Sequence, residues 1–389
     1  MRLRFTTAGE SHGPGLIAVV EGIPAGLELS PEDLDGDLAR RQLGHGRGGR
    51  MKIERDASTV ISGIRHGRTL GSPIALSIEN RDYANWEERM NPWPVAAEVA
   101  KVHLPRPGHA DLAGVQKFGH DDVRNVLERA SARETTARVA VGAIARAFLR
   151  EMGVEIRSHV TRIGAVDAPD AETPLQLVDF DVVDESPVRC LDKAAERAMI
   201  REIDTQRKAN ESLGGIFEVL VFNVIPGLGS YTTWDGRIEG RLAQAICSIQ
   251  AIKGVGFGDG FALTGIPGSR AHDEMFPGGG DYGFHRTTNH AGGIEGGMTN
   301  GETIVIKGAM KPLPTLTKPL QSIDLETGEA AQALRERTDS CTVPAAAVVA
   351  EAMAAIVIAD AYLEKFGGDN VADTTAAVSA YRGRIIRES

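Results

Sequence analysis

Val343-Pro344-Ala345-Ala346-Ala347-Val348-Val349-Ala350-Glu351-Ala352-Met353-Ala354-Ala355-Ile356-Val357-Ile358-Ala359-Asp360-Ala361-Tyr362-Leu363 is the stretch on which the fold turns. Its length is near that of a membrane span, but Glu351 and Asp360 interrupt it and its alanines weaken it, so it reads as a helix buried in protein. Pro344 near the start and Gly367-Gly368 as a stop predict a helix over residues 343–366. Alanine-rich helices of this kind can pack closely.

Outward from it, helical patterns fall over residues 121–152 and 191–210. Short apolar or alternating runs such as Leu16-Ile17-Ala18-Val19-Val20, Ile74-Ala75-Leu76-Ser77-Ile78 and Ile216-Phe217-Glu218-Val219-Leu220-Val221-Phe222 have the length and β-branched content of strands. Strands and helices do not alternate as a doubly wound sheet requires, so an α+β fold with helices covered by antiparallel sheets is expected rather than a Rossmann-type one. No internal repeat is evident, and the acidic, proline-containing segment around residues 167–187 reads as a surface insertion.

The 389 residues allow one large core or two average domains, and 42% hydrophobic with 25% charged residues is a globular composition. A net charge of −10 argues against nucleic acid or an anionic membrane as partner. Residues 40–68 are a local exception: Arg40, Arg41, Arg47, Arg50, Lys52, Arg55, Arg65 and Arg68 stand against Glu54 and Asp56, a window of +6 that leaves −16 elsewhere. A charge cluster is ordinarily a solvated face, but this one is interleaved with glycines. Cys190, Cys247 and Cys341 are odd in number and widely spaced, which suggests neither a disulfide framework nor a zinc site. The N-terminal residues lack the apolar core of a signal peptide, and a cytoplasmic protein is expected.

Candidate chemistry begins at Gly9-Glu10-Ser11-His12-Gly13-Pro14-Gly15, where an acid, a hydroxyl and an imidazole are bracketed by glycines after a predicted strand. Histidine suits proton transfer near neutral pH; the ordinary alternative is turn and capping hydrogen bonds with an exposed imidazole. No G-x-S-x-G elbow surrounds Ser11, so weight falls on His12. Arg40-Arg41-Gln42-Leu43-Gly44-His45-Gly46-Arg47-Gly48-Gly49-Arg50 ends a predicted helix in a cationic glycine loop, and guanidinium forks match phosphate and carboxylate oxygens. A dinucleotide fingerprint is rejected there because the loop follows a helix and not a strand.

Leu104-Pro105-Arg106-Pro107-Gly108-His109-Ala110-Asp111 offers a second arginine and histidine on a proline-stiffened loop. In Glu128-Arg129-Ala130-Ser131-Ala132-Arg133-Glu134, Arg129 and Arg133 are four apart and are expected to share a helix face, either salt-bridged to Glu134 or Glu128 or turned to an anion. Asp339, in Arg337-Thr338-Asp339-Ser340 ahead of the apolar helix, reads either as an acid of the N-cap region, the reading preferred on sequence, or as a site carboxylate. With no G-x-x-x-x-G-K-[ST] and no H-E-x-x-H run, arginines must hold any phosphate. Histidines on two loops and arginines on four segments point to an enzyme handling a multiply anionic small molecule.

These motifs resemble three signatures of the chorismate synthase family: Gly9 to Gly13; Glu128-Arg129-Ala130-Ser131-Ala132-Arg133-Glu134-Thr135 with Arg138, Val139 and Gly142; and Arg337-x-Asp339 ahead of Glu351-Ala352-Met353. Arg106 to Asp111, Gln250-Ala251-Ile252-Lys253-Gly254, Ser269 to Glu274 and Gly292 to Gly301 agree, so the resemblance covers essentially the whole chain. It implies a single domain over residues 1–389, a β-α-β sandwich with central helices between antiparallel sheets, assembled as a homotetramer. It implies a 1,4-anti elimination of phosphate from 5-enolpyruvylshikimate 3-phosphate giving chorismate, dependent on reduced FMN without net redox change.

By the same resemblance His12 would protonate the departing phosphate, His109 would interact with the reduced flavin, and Asp339 would accept the proton leaving substrate C6 by way of the flavin N5. Arg41, Arg47, Arg106, Arg133 and Arg337 would hold the substrate phosphate and carboxylates, with Arg41 and Arg47 ambiguous between substrate and NADPH. Arg129, Ala130, Ser131, Gln250, Ala251, Gly297, Lys311, Pro312, Leu313, Pro314, Thr315 and Arg337 would surround FMN, with NADPH as an indirect source of reducing equivalents. Two positions depart from the family pattern: Thr338 stands where Ser or His is usual, and Pro314 removes a side-chain hydroxyl. The competing expectations are an NADPH-dependent flavin reductase and a non-catalytic anion- or RNA-binding protein.

Overall fold

Residues 343–366 form a helix, Val343–Phe366, whose flanks carry too few polar groups to face water on any side. Such a helix must be covered all round. Nearly all of it is buried, although by length and composition it could cross a membrane. The computed structural model describes residues 3–48, 55–169, 174–336 and 339–386.

The cover comes from two antiparallel sheets. One has the strands Arg4–Ala8, Gly15–Glu21, Ser58–Ser62 and Ile74–Glu79, with Gly15–Glu21 and Ile74–Glu79 at its centre. The other has Glu155–Ile163, Val166–Asp167, Gly215–Phe222, Ile252–Phe257 and Ile304–Met310, with Gly215–Phe222 flanked by Glu155–Ile163 and Ile304–Met310. Helix Thr135–Glu151 packs on the first sheet, Val343–Phe366 on the second, and the two helices pack on each other, giving sheet, helices, sheet. Helices Pro31–Gln42 and Ile238–Cys247 complete the middle layer. The expected α+β sandwich is what the chain adopts, and all three strand runs quoted above lie in these sheets.

Small residues set the spacing of the middle layer. A Cβ on Gly142 would lie 2.3 Å from the Cβ of Ala352 and 2.5 Å from its Cα, so at this crossing only glycine lets the backbones approach. Glu351 is buried in this contact layer with no exposed surface. Arg40 binds it through Nη1 at 2.7 Å and Nη2 at 2.9 Å, Arg146 Nη1 lies at 3.1 Å, Arg189 Nη2 at 3.3 Å, and Ser158 Oγ donates at 2.6 Å. Burial alone would raise this carboxyl, but the three guanidinium groups outweigh it and bring it down to about 2.

Three expectations need correction. The helix predicted over residues 121–152 is broken: Arg124–Ala130 ends at Ser131, whose backbone is extended and whose hydroxyl accepts from Arg133 N, and Thr135–Glu151 starts after a 3₁₀ turn, Ala132–Glu134. Arg129 and Arg133 consequently share no helix face. The segment around 167–187 is more than a surface insertion, since Phe180 and Val183 pack with Leu220 and Phe222 in a small core of their own. Asp339 caps no helix: the cap position of Val343–Phe366 is Thr342, which makes no side-chain capping bond.

Gly142→Ala is expected to cost about 2 kcal/mol in urea unfolding through overpacking, whereas Gly383→Ala, where nothing lies within reach of a new Cβ, should be neutral or slightly stabilising. The depressed Glu351 carboxyl contributes stability in full above about pH 4.5 and loses it as pH falls toward about 2. Glu351→Gln should therefore cost about 3–5 kcal/mol at neutral pH by leaving three arginines without their shared anion, and should flatten the acid limb of the stability curve.

Candidate active site

The loop between strands Arg4–Ala8 and Gly15–Glu21 carries His12. Gly9 makes it possible, with φ of +107° and no room for a Cβ, which would stand 2.3 Å from Gly15 O. Asn80 Nδ2 donates to Glu10 O at 3.0 Å and to Gly13 O at 2.8 Å, and Ser11 N donates to Glu128 O at 3.1 Å. The carboxylate of Glu128 accepts from His12 N at 2.9 Å and lies 2.9 Å from His12 Nδ1, while the imidazole stacks on Trp86 at 4.0 Å between centroids. Burial would raise the Glu128 carboxyl, but His12 and Arg124 hold it below its ordinary value, so Nδ1 carries the hydrogen. The acid that orients His12 is thus Glu128 and not its neighbour Glu10; no local pattern in the sequence signals a partner 116 residues away.

His109 is held in the same manner. Its Nδ1 lies 2.5 Å from Asp111 Oδ1, and Asp111 also accepts from Arg106 N at 3.0 Å and Arg106 Nε at 2.9 Å. Desolvation would raise Asp111, yet His109 and Arg106 press it well below the carboxylate range. Arg106 Nη2 is 3.1 Å from the same His109 nitrogen; with Nδ1–H given to Asp111 this is a contact between two donors and no hydrogen bond. Arg106 Nη1 donates to Thr315 Oγ1 at 3.0 Å, and Lys311 Nζ donates to Gly108 O at 2.9 Å. The loop at 104–111 and the segment 311–315, far apart in sequence, are thereby joined.

A second group is built from arginines. Arg133 binds Asp56 through Nη1 and Asn80 Oδ1 through Nε at 2.8 Å; Arg41 donates to Thr135 Oγ1 at 3.1 Å and Ala132 O at 3.0 Å, with Asp56 Oδ2 at 3.4 Å. Arg47 Nη1 lies 3.3 Å from Asp339 Oδ2, and Asp339 Oδ1 accepts from Gly48 N at 2.5 Å. Burial pushes the Arg41 guanidinium down, Asp56 pulls it up, and Arg47 and Arg133 push it down again. Among the described residues three guanidinium groups stand against two carboxylates, a cationic excess in a buried place, where an incoming anion is favoured. Asp56 and Asn80 were not singled out in the sequence; one of only two acids inside a basic window was the available signal for Asp56. Asn80 joins the two groups by binding both the His12 loop and Arg133.

Of the remaining residues, Arg129 turns away from Arg133 and donates to Thr7 O at 2.9 Å and Gly9 O at 3.1 Å. Ser131 Oγ, just past Ala130 at the helix end, donates to Ser11 Oγ at 3.2 Å. Gln250 Nε2 donates to Glu134 Oε2 at 3.4 Å, while its Oε1 is buried with no hydrogen-bond partner among the described residues. Ala251, at φ +68°, accepts from Lys311 N at 3.0 Å, bringing Gln250-Ala251 to the start of the Lys311–Thr315 segment. Leu313 O accepts from Ser212 Oγ at 2.7 Å, Pro312 N packs near Gly214, and Pro314 stands beside Gly108. Gly297, at φ +93°, has its carbonyl bonded by Ile238 N at 3.0 Å in a turn against Ser230; that bond does not reach the Arg129 or Lys311 groups. Arg337, Arg50, Lys52 and Thr338 lie outside the described residues. Among the described residues no His, Cys, Asp and Glu cluster fits a metal.

The sequence profile of the family described as chorismate synthase matches residues 3–363. A chorismate synthase of Rubrobacter xylanophilus is 55% identical over 385 residues, covering 99% of this chain and 98% of that one, and one of Syntrophotalea carbinolica is 54% identical over 383 residues, covering 98% of each. A crystal structure of a chorismate synthase superposes with a TM-score of 0.80 at 42% identity, covering 99% of this chain and 98% of the other.

The cationic excess predicts that inorganic phosphate binds the protein and that Arg41→Met weakens it about 10-fold or more, equivalent to loss of one charge-assisted pair; calorimetric titration at two salt concentrations checks it, since the effect should shrink at high salt.

Proposed function

The chain belongs to the chorismate synthase family, and on that premise we propose that His12, His109 and Asp339 carry the proton transfers of the family's reaction while the arginine group holds the substrate's anions. The reaction is a lyase step of the shikimate pathway: phosphate leaves 5-enolpyruvylshikimate 3-phosphate and chorismate forms, in a family that requires reduced flavin. The family match does not favour a stand-alone flavin reductase.

The observation that carries the assignment is that two loop imidazoles are each held through Nδ1 by a buried carboxylate, Glu128 for His12 and Asp111 for His109. That arrangement fixes the tautomer and leaves Nε2 as the working atom. His12 delivers a proton to the phosphate as its C–O bond breaks, and Arg41, Arg47 and Arg133, with Arg337 and Arg106, stabilise the charge that accumulates on the leaving oxygens. Asp339, held by Gly48 N and Arg47, is the acid–base group at which the proton lost from ring carbon C6 ends. Nothing is oxidised or reduced overall: a proton and a phosphate leave across the conjugated ring, and a second double bond forms.

For the flavin we propose FMN. The groups present fit it: Arg129 and Lys311 supply cations for a phosphate, burial beside Lys253 pushes the Lys311 ammonium down and so favours an anion nearby, and Gln250 Oε1, without a partner among the described residues, is an acceptor for an N–H donor. Ala130, Ser131, Ala251, Gly297 and Pro312 to Thr315 would line it. When bound, reduced FMN supplies electron density that eases departure of the phosphate. His109 would hold a proton beside the reduced flavin and so bear on its ionisation. NADPH, as an indirect source of electrons, would compete for Arg41 and Arg47. We further propose one domain over residues 1–389, supported by a main core that runs from Leu3 to Ile385, a homotetramer, a cytoplasmic location, and no nucleic-acid or membrane partner.

Chorismate should appear from its phosphorylated precursor under anaerobic conditions with chemically reduced FMN, and its absence with folded protein would overturn the reading. His12→Ala and His109→Ala should each lower turnover about 10²–10⁴-fold with far-ultraviolet circular dichroism unchanged; near-normal rates in both would remove the two histidines from the chemistry.

A further inference from the structure

The two imidazoles are connected. From His12 Nδ1 the path runs to Glu128 at 2.9 Å, from Glu128 Oε1 to Arg124 Nη1 at 2.7 Å, and from Arg124 Nη2 to Glu336 Oε1 at 3.7 Å. Glu336 Oε2 lies 3.4 Å from Arg106 Nη1, Arg106 Nε is 2.9 Å from Asp111, and Asp111 Oδ1 is 2.5 Å from His109 Nδ1. The path joins four separate pieces of chain, and each of its five intermediate side chains is at most 20% exposed. Shielding of that degree keeps charges coupled over distances at which surface charges are screened.

Signs alternate along the path. Three carboxylates and two guanidinium groups leave a net charge of −1, which balances one imidazolium and not two. Around it stand Glu10 in the His12 loop, Asp82 behind Trp86, Arg89 over the Trp86 ring, and Lys311 beside the His109 loop. Arg124 also lies over Trp86, with 5.1 Å from its guanidinium carbon to the ring centroid, so the ring that His12 stacks on is itself fixed by the path.

We infer that Glu128, Arg124 and Glu336 are positioning residues that hold His12 and His109 as one charged assembly with room for a single added proton, so that the proton donated to phosphate by one imidazole is governed by the state of the other. The inference rests on the reading of His12 as proton donor and adds to it residues outside the groups assigned above to substrate and flavin. Glu336 is the informative member because it contacts neither histidine: a merely local structural role would lower stability without moving the pH dependence of turnover.

The test compares pH profiles of kcat, with FMN reduced chemically under anaerobic conditions, for Glu128→Gln, Glu128→Asp, Glu336→Gln, Arg124→Met and His12→Ala. Removing a carboxylate raises the charge of the path, which disfavours the added proton. The alkaline limb should therefore move to lower pH, by about one unit in Glu128→Gln and about half a unit in Glu336→Gln. Arg124→Met lowers the charge of the path and should move the limb the opposite way. Glu128→Asp keeps the charge and should keep the limb while turnover falls about 10-fold from misplaced geometry, with KM within about threefold of wild type. The flavin-free protein offers a second readout: the pH midpoints for deuterium exchange at the imidazole C2 carbons of His12 and His109, followed peptide by peptide by mass spectrometry, should both move when Glu336 is changed. If His12→Ala is inactive but the limb stays in place in Glu128→Gln and Glu336→Gln, the assembly is refuted and the assignment of His12 stands. Near-normal turnover in His12→Ala refutes both.

Discussion

The approach of helix Thr135–Glu151 to helix Val343–Phe366 at Gly142 and Ala352 is the constraint on which the remainder rests. Each sheet packs mainly on one of these helices, so their separation fixes the distance between sheets and with it the thickness of the core. It also fixes the site. Arg41 reaches Thr135 at the start of one helix, and Arg47 reaches Asp339 just ahead of the other. The entries of both helices therefore stand at the arginine group, where their dipoles add to the cationic excess.

Charge is organised around this layer in two ways. At Glu351 three arginines converge on one carboxylate with no outlet to solvent, and the group, with Ser158 of strand Glu155–Ile163, locks Pro31–Gln42, Thr135–Glu151 and the sheet onto the central helix. Because Arg40 and Arg41 are consecutive, locking one places the other: Arg40 turns to Glu351 and Arg41 turns to Asp56 and Thr135. A structural ion cluster and a functional one are thus built from adjacent residues of one helix end. In the first, Glu351, Asp37 and Asp184 match three arginines; in the second, arginines exceed carboxylates among the described residues and an anionic ligand completes the balance.

The path between the histidines follows the same rule at the other side of the site. Neither imidazole is oriented by a sequence neighbour of its own turn alone. His12 depends on Glu128 from a helix, and His109 depends on Asp111, which is itself held by Arg106. The break at Ser131 is what allows this geometry. Were residues 124–151 one continuous helix, Arg129 and Arg133 would lie along one face, whereas the extended residue sends Arg129 toward Thr7 and Gly9 and Arg133 toward Asp56 and Asn80.

By itself the sequence determined what is local: a 24-residue apolar helix that cannot face water, strands of alternating or β-branched residues, glycine-bracketed histidine loops and a basic window in an acidic chain. Periodicity, composition and capping act over a few residues, so they can be read from a few residues. Pairing of groups far apart in the chain was decided only by the tertiary structure. Glu128 with His12, Asp56 with Arg133, Asp339 with Gly48 rather than with a helix end, and the burial of Phe180 and Val183 all follow from which surfaces the packed helices bring together. No local pattern encodes those distances, because they are set by the contact of whole layers and not by the propensity of any one segment.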